Sequence, residues 1–138
     1  MRKFITLALC LFAVIGCETG IQYKIADHYF FRNDATIPES PIITTQEQFD
    51  SLFGMAPVMG GLPTEINFDK EFVLAIVLPE TSCYTTINPK SLTSEGDKLI
   101  LSYSLDIAPE STFTMVPCCI LIVDKQYLKP MAQLKLVE

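Results

Sequence analysis

The side chains able to do covalent or metal chemistry are few: five cysteines, one histidine and 16 acidic residues in a chain of 138. A hydrolase triad needs an imidazole base held against a nucleophile. The one imidazole, His28, sits beside Asp27 inside an alternating segment, and the chain has no Gly-x-Ser-x-Gly elbow. A lone histidine in that setting is ordinarily a surface or satisfied side chain. Gly60-Gly61 runs into Leu62-Pro63, with no following Lys-Ser/Thr and no helix start, which fits a turn and not a phosphate cradle. Asp69 and Glu71 share one parity ahead of an apolar run. That is the pattern of a solvated edge, with calcium binding the weaker alternative. Zinc wants about four ligands in one place, whereas Cys83, Cys118 and Cys119 offer three without C-x-x-C spacing. These residues predict no catalytic group, no metal and no cofactor.

The cysteine with the clearest chemistry is Cys17. Arg2 and Lys3 precede an apolar run over residues 4–15, too short for a bilayer span, which needs about 20 residues. The run closes in Val14-Ile15-Gly16-Cys17, which resembles the lipobox of exported bacterial lipoproteins. The expectation is a signal peptide over residues 1–16, lipidation of Cys17, a tether over 17–21 and one β-rich domain over 22–138. A lipidated Cys17 would hold the domain to a membrane surface in the cell envelope, facing the periplasm or the exterior, since two or more acyl chains anchor stably.

Losing residues 1–16 removes Arg2 and Lys3, so a formal net charge of −6 becomes −8 over the remaining 122 residues. Such a surface repels nucleic-acid phosphates and anionic lipid, so no nucleic-acid role is expected. The length suffices for one substantial core.

Tyr23, Ile25, Tyr29 and Phe31 share one parity and predict a strand over 22–32. Residues 33–41 are turn-prone. Over 44–54, Thr44 or Thr45 as N-cap, Phe49, Leu52 and Phe53 on one face, and Gly54 as a stop predict the one helix. Residues 72–78 form an uninterrupted apolar run suited to a central strand covered on both faces. Strands are expected over 84–87, 99–105 with Leu99, Leu101, Tyr103 and Leu105 on one parity, 113–123 and 131–137. The fold class is therefore mostly β (α+β): an antiparallel sheet or small β-sandwich of about six or seven strands with one short amphipathic helix.

The box Ile66-Asn67-Phe68-Asp69-Lys70-Glu71-Phe72-Val73-Leu74-Ala75, then Thr81-x-x-Tyr84, then Thr114 to Pro117, follow one another after the capped helix. In this order they resemble the domain of the protease-complex subunit (PrcB-like) family, over residues 44–137. Ser82-Cys83 stands where that family carries two glycines, which puts in doubt any role needing close backbone approach there. The resemblance implies a non-catalytic lipoprotein that assists or inhibits an extracytoplasmic protease through loops around 81–84 and 112–117. Thr81, Tyr84, Phe113 and Met115 are then the candidate partner contacts, aromatic residues and Met being enriched in interface cores. The commoner fate of such side chains is inward packing. The contrasting class is an envelope module that binds a small molecule or glycan.

Those two neighbouring loops also bear on the cysteines. An exported domain with Cys83, Cys118 and Cys119 holds an odd number in an oxidising compartment. Adjacent strand residues face opposite ways, so Cys118 and Cys119 cannot both meet Cys83. A Cys83–Cys118 disulfide is expected, with Cys119 the alternative partner and three unpaired small core residues the competing outcome.

Overall fold

The apolar run becomes β5 (Glu71–Val77), whose residues 72–76 are all buried. In a computed structural model of the chain, which describes residues 20–56 and 61–137, β5 is hydrogen-bonded on one side to β8 (Cys118–Asp124) and on the other to β3 (Ile42–Ile43). The strand β1 (Tyr23–Ile25) lies outside β8, giving the antiparallel order β1-β8-β5-β3. The register runs from Glu71 opposite Asp124 to Val77 opposite Cys118. Side chains alternate across a pleat, so this sheet builds a core on each face. Val73, Ala75, Ile120 and Ile122 face one cluster, and Phe72, Leu74, Ile76, Leu121 and Val123 face the other. Both-face burial is what the continuous run predicted.

The first cluster is closed by α1 (Gln46–Leu52) and a two-stranded ribbon of β2 (Tyr29–Phe31) and β4 (Phe53–Met55). Thr45 caps the helix, its Oγ1 accepting from the amide of Gln48 at 3.1 Å, while Gln48 Oε1 accepts from the amide of Thr44 at 3.2 Å. This is a variant of the expected capping box, displaced by one residue on the return bond. Phe49 and Leu52 are buried, and Phe49 meets the rings of Tyr29, Phe53 and Phe68 at centroid distances of 5.1, 5.1 and 5.9 Å. The expected glycine stop is corrected: the helix ends directly in extended backbone at Phe53, and Gly54 sits within β4 opposite Phe30. The Phe30 ring covers Gly54, occupying the space a Cβ would need.

The second cluster is covered by a long hairpin, β6 (Thr81–Glu95) and β7 (Lys98–Met115), with β9 (Met131–Leu136) on the far side of β7. Gly96, at φ +63°, makes the turn between them. Leu92, Leu99, Leu101 and Tyr103 project into the core from this end. Residues 81–84, expected as a loop, are strand, and the strand expected over 113–123 is divided at Val116-Pro117 between β7 and β8. Both strands pass through prolines, Pro89 and Pro109, which sequence reading treats as strand breakers; the pairing accommodates them with register shifts after Pro89 and on either side of Cys83. The pairing of β9 with β7 is parallel, a departure from the otherwise antiparallel scheme. Among the described residues strands take up 57 % against one seven-residue α-helix, so the fold is mostly β.

The strand expected over 22–32 is two strands. His28, at φ 68°, turns the chain between β1 and β2, carrying it from the main sheet to the small ribbon. Ile21, at the end of the expected tether, already packs against the second cluster. Residues 1–16 and Cys17, with the signal and lipidation readings that fall on them, lie outside the described residues. Among the described residues no helix is long and apolar enough to cross a membrane.

Candidate functional site at the divergence of two sheet edges

The outer strands β1 and β6 each have one hydrogen-bonded neighbour. At one end they are joined, the amide of Ile21 donating to the carbonyl of Leu92 at 2.7 Å. Toward the other end a cleft of about 340 Å³ lies between residues 25–29 and residues 84–87, lined also by Met115, Pro117, Cys118, Cys119 and Ile120.

One wall is the turn at His28. Thr64 fixes it from three directions: its Oγ1 accepts from the amide of Asp27 at 2.9 Å, its amide donates to the Asp27 carbonyl at 3.2 Å, and its carbonyl accepts the Tyr29 hydroxyl at 2.6 Å. The amide of Ala56 donates to the His28 carbonyl at 2.8 Å, and the imidazole lies against Gly61, where a Cβ would collide with it. A non-glycine residue at positive φ persists where its surroundings over-determine it. Burial, with Asp50 and Glu65 nearby, raises the Tyr29 phenol above its usual range, so it stays a hydroxyl donor. Nothing in the sequence beyond the modest tolerance of histidine for left-handed backbone signals this wall.

The other wall is β6. Tyr84 is 55 % exposed and Thr86 exposed, while Thr85 turns into the protein and its hydroxyl donates to the Cys83 carbonyl at 2.9 Å. Of the expected partner contacts, Tyr84 and Met115 line this cleft. Thr81 pairs with Met115 one step beyond it. Phe113 is 53 % exposed on the same half of the hairpin, in a stretch of β7 held by the Ser111 hydroxyl, which donates to the carbonyls of Ser82 at 2.9 Å and Phe113 at 3.1 Å. The expectation of inward packing is thus overturned for Tyr84 and Phe113, because residues 106–114 of β7 run beyond the core that Leu99 and Leu101 cover.

Cys83, Cys118 and Cys119 are free thiols, so the expected Cys83–Cys118 bridge is absent from this structure. Cys83 stands opposite Glu110 in the hairpin, whereas Cys118 and Cys119 pair with Val77 and Ile76 in the main sheet. As neighbours in a strand they diverge, Cys118 toward the first cluster and Cys119 toward the second. Burial raises the Cys118 thiol, opposed by a backbone hydrogen bond at Phe31. Burial, then Cys118 and Asp27, push Cys119 up to about 12. A thiol becomes a nucleophile or metal ligand as the thiolate, and both remain protonated at neutral pH. Among the described residues no three of His, Cys, Asp and Glu converge with metal-binding geometry.

Charge is distributed unevenly along the strands. Residues 71–89 and 99–124 contain no Lys or Arg, and of the residues lining the cleft only Asp27 carries a formal charge at neutral pH. Lysines gather at the Ile21–Leu92 end, where Lys24 pairs with Glu71 at 3.2 Å and Lys125 Nζ donates to the Phe68 carbonyl.

No family model, curated protein or solved structure matches the chain.

Proposed function

We propose that this chain is a non-catalytic, lipid-anchored protein of the bacterial cell envelope that accompanies an extracytoplasmic protease, as a stabilising subunit or an inhibitor. The observation that carries the binding role is the exposure of Tyr84 and Phe113 on the half of the hairpin remote from Gly20. With Cys17 lipidated, two residues separate the anchor from Gly20, and Ile21 is bonded to Leu92. The membrane would then lie beyond the Leu92 end, leaving the aromatic end facing outward. The protonated thiols at the cleft support a non-catalytic reading, and the choice of a protease rests on the motif resemblance. The test is affinity purification of the lipidated protein from its native envelope. An extracytoplasmic protease is expected in the eluate and is lost when Tyr84→Ala and Phe113→Ala are combined. If no protease co-purifies, and deletion of the gene leaves envelope protease activity unchanged, the reading fails.

A second reading, a module for a small molecule or glycan, draws on an open cavity of about 620 Å³ beside Arg32, Asn33 and Glu80. Thermal-shift screening against sugars and small anions separates it from the first.

A further inference from the structure

The cleft between β1 and β6 is bordered by strand backbone as well as by side chains. β6 is the outer strand of its sheet, and the Ile21–Leu92 bond occupies its free side only at the Leu92 end. Among the described residues no strand pairs with that side over Thr81–Asn88. Proteins blunt a free edge with charge, proline or a bulge. Residues 81–88, Thr-Ser-Cys-Tyr-Thr-Thr-Ile-Asn, contain no charge and no proline; register shifts on either side of Cys83 interrupt the edge there, while Thr85–Asn88 keep a continuous register with β7, and their β-branched types favour strand pairing. By contrast the corresponding half of β7 is protected by Asp106, Pro109 and Glu110. The opening beside residues 84–87 mixes apolar side chains with the hydroxyls of Tyr84, Thr85 and Thr86 and with Asp27 and His28, and Ile25 and Tyr84 are exposed at its rim.

We infer that this cleft takes an extended peptide segment of another protein, added as a strand to the free edge of β6 at Tyr84–Ile87. Main-chain hydrogen bonds to the edge supply affinity, and the cleft selects alternate side chains. Its only formal charge is that of Asp27, with no Lys or Arg facing the occupant, so the segment is uncharged or cationic and acidic segments are rejected. A second copy, whose own residues 81–88 are uncharged, is the competing occupant, and self-association relieved by Thr86→Trp identifies it. The inference rests on the protein-binding reading above and specifies what part of a partner is held.

The probes are three capped hexapeptides offered to the folded chain from Gly20 onward, carrying its native thiols. The first alternates Val and Thr around one central Lys, the second replaces that Lys by Glu, and the third carries the first sequence with alternate amides N-methylated. Binding is read by amide chemical shifts and by titration. The Lys peptide is expected to perturb residues 25–28 and 84–87. N-methylation is expected to weaken it about tenfold or more, Glu about fivefold, and Thr86→Trp, which fills the cleft from an exposed position, about tenfold. Equal binding by the N-methylated peptide, perturbation elsewhere, no binding by the Lys peptide, or self-association relieved by Thr86→Trp would each overturn strand addition. A protease that co-purifies through Tyr84 and Phe113 while these peptides fail to bind defeats this inference alone. Peptide binding without any co-purifying protease defeats only the protease assignment.

Discussion

The amide of Ile21 and the carbonyl of Leu92, 2.7 Å apart, tie the start of the described chain to the outer edge of the hairpin. Tyr84 lies eight steps before Leu92 on β6, about 26 Å at the usual rise of about 3.3 Å per residue. An anchor at Cys17, as proposed, would therefore orient the molecule with Gly96 near the bilayer and Tyr84 far from it. Palmitate-analogue labelling is expected for the wild type and absent for Cys17→Ala. On vesicles, a fluorophore at Asp97 should be quenched by headgroup quenchers more strongly than one at Ala108. Equal labelling of wild type and variant, or the reverse order of quenching, refutes this arrangement.

Exposure and burial on one hairpin give opposite mutational costs. Leu101 is fully buried, and Leu101→Ala is expected to lower stability by about 2 to 5 kcal/mol. Tyr84→Ala and Phe113→Ala remove side chains that are more than half exposed, and each should stay within about 0.5 kcal/mol of wild type. Urea unfolding followed by far-ultraviolet circular dichroism compares them. A large loss for Phe113→Ala would mean that it packs in the core.

Alkaline pH should destabilise the reduced protein through its thiols. Cys119 is raised from 9.0 to about 12, so between these values the unfolded chain gives up a proton that the folded one keeps. The stabilising difference is intact below pH 9 and is lost as pH rises toward 12. One such thiol contributes a slope of at most about 1.4 kcal/mol per pH unit. Cys118, shifted the same way, adds to it. Stability measured from pH 8 to 10.5 should fall less steeply in Cys119→Ala. An unchanged slope would show that the side chain is solvated.

Free Cys83, Cys118 and Cys119 predict three reactive thiols in denatured protein prepared without reductant, apart from Cys10 and Cys17, which lie outside the described residues. A count of one would instead demonstrate a bridge, and peptide mapping would then locate it. In native protein the burial of Cys118 and Cys119 predicts slow alkylation of both at neutral pH.

Much of this architecture is local and therefore readable from sequence. Residues 72–76 are apolar without interruption, so β5 had to be covered on both faces, and Thr45, Phe49 and Leu52 supply the cap and inner face of α1 within a few positions of one another. Leu99, Leu101 and Tyr103 alternate as a half-buried strand must. Other features depend on contacts distant in the chain. The prolines at 89 and 109 locally oppose strands, yet pairing along a 15-residue and an 18-residue strand absorbs them in register shifts. His28 breaks the alternating 22–32 segment because Thr64, Ala56 and Gly61 hold it from 28 to 36 residues away. Tyr84 and Phe113 share the composition of core side chains, and they are exposed because the hairpin outruns the sheet it covers. Hydrophobic type and spacing thus determined β5, the 99–105 part of β7 and the inner face of α1, while the extent of the long hairpin, the cleft, the β6 edge left unpaired among the described residues and the separation of Cys83 from Cys118 were decided by tertiary structure, since each depends on where two independently formed sheets stop meeting.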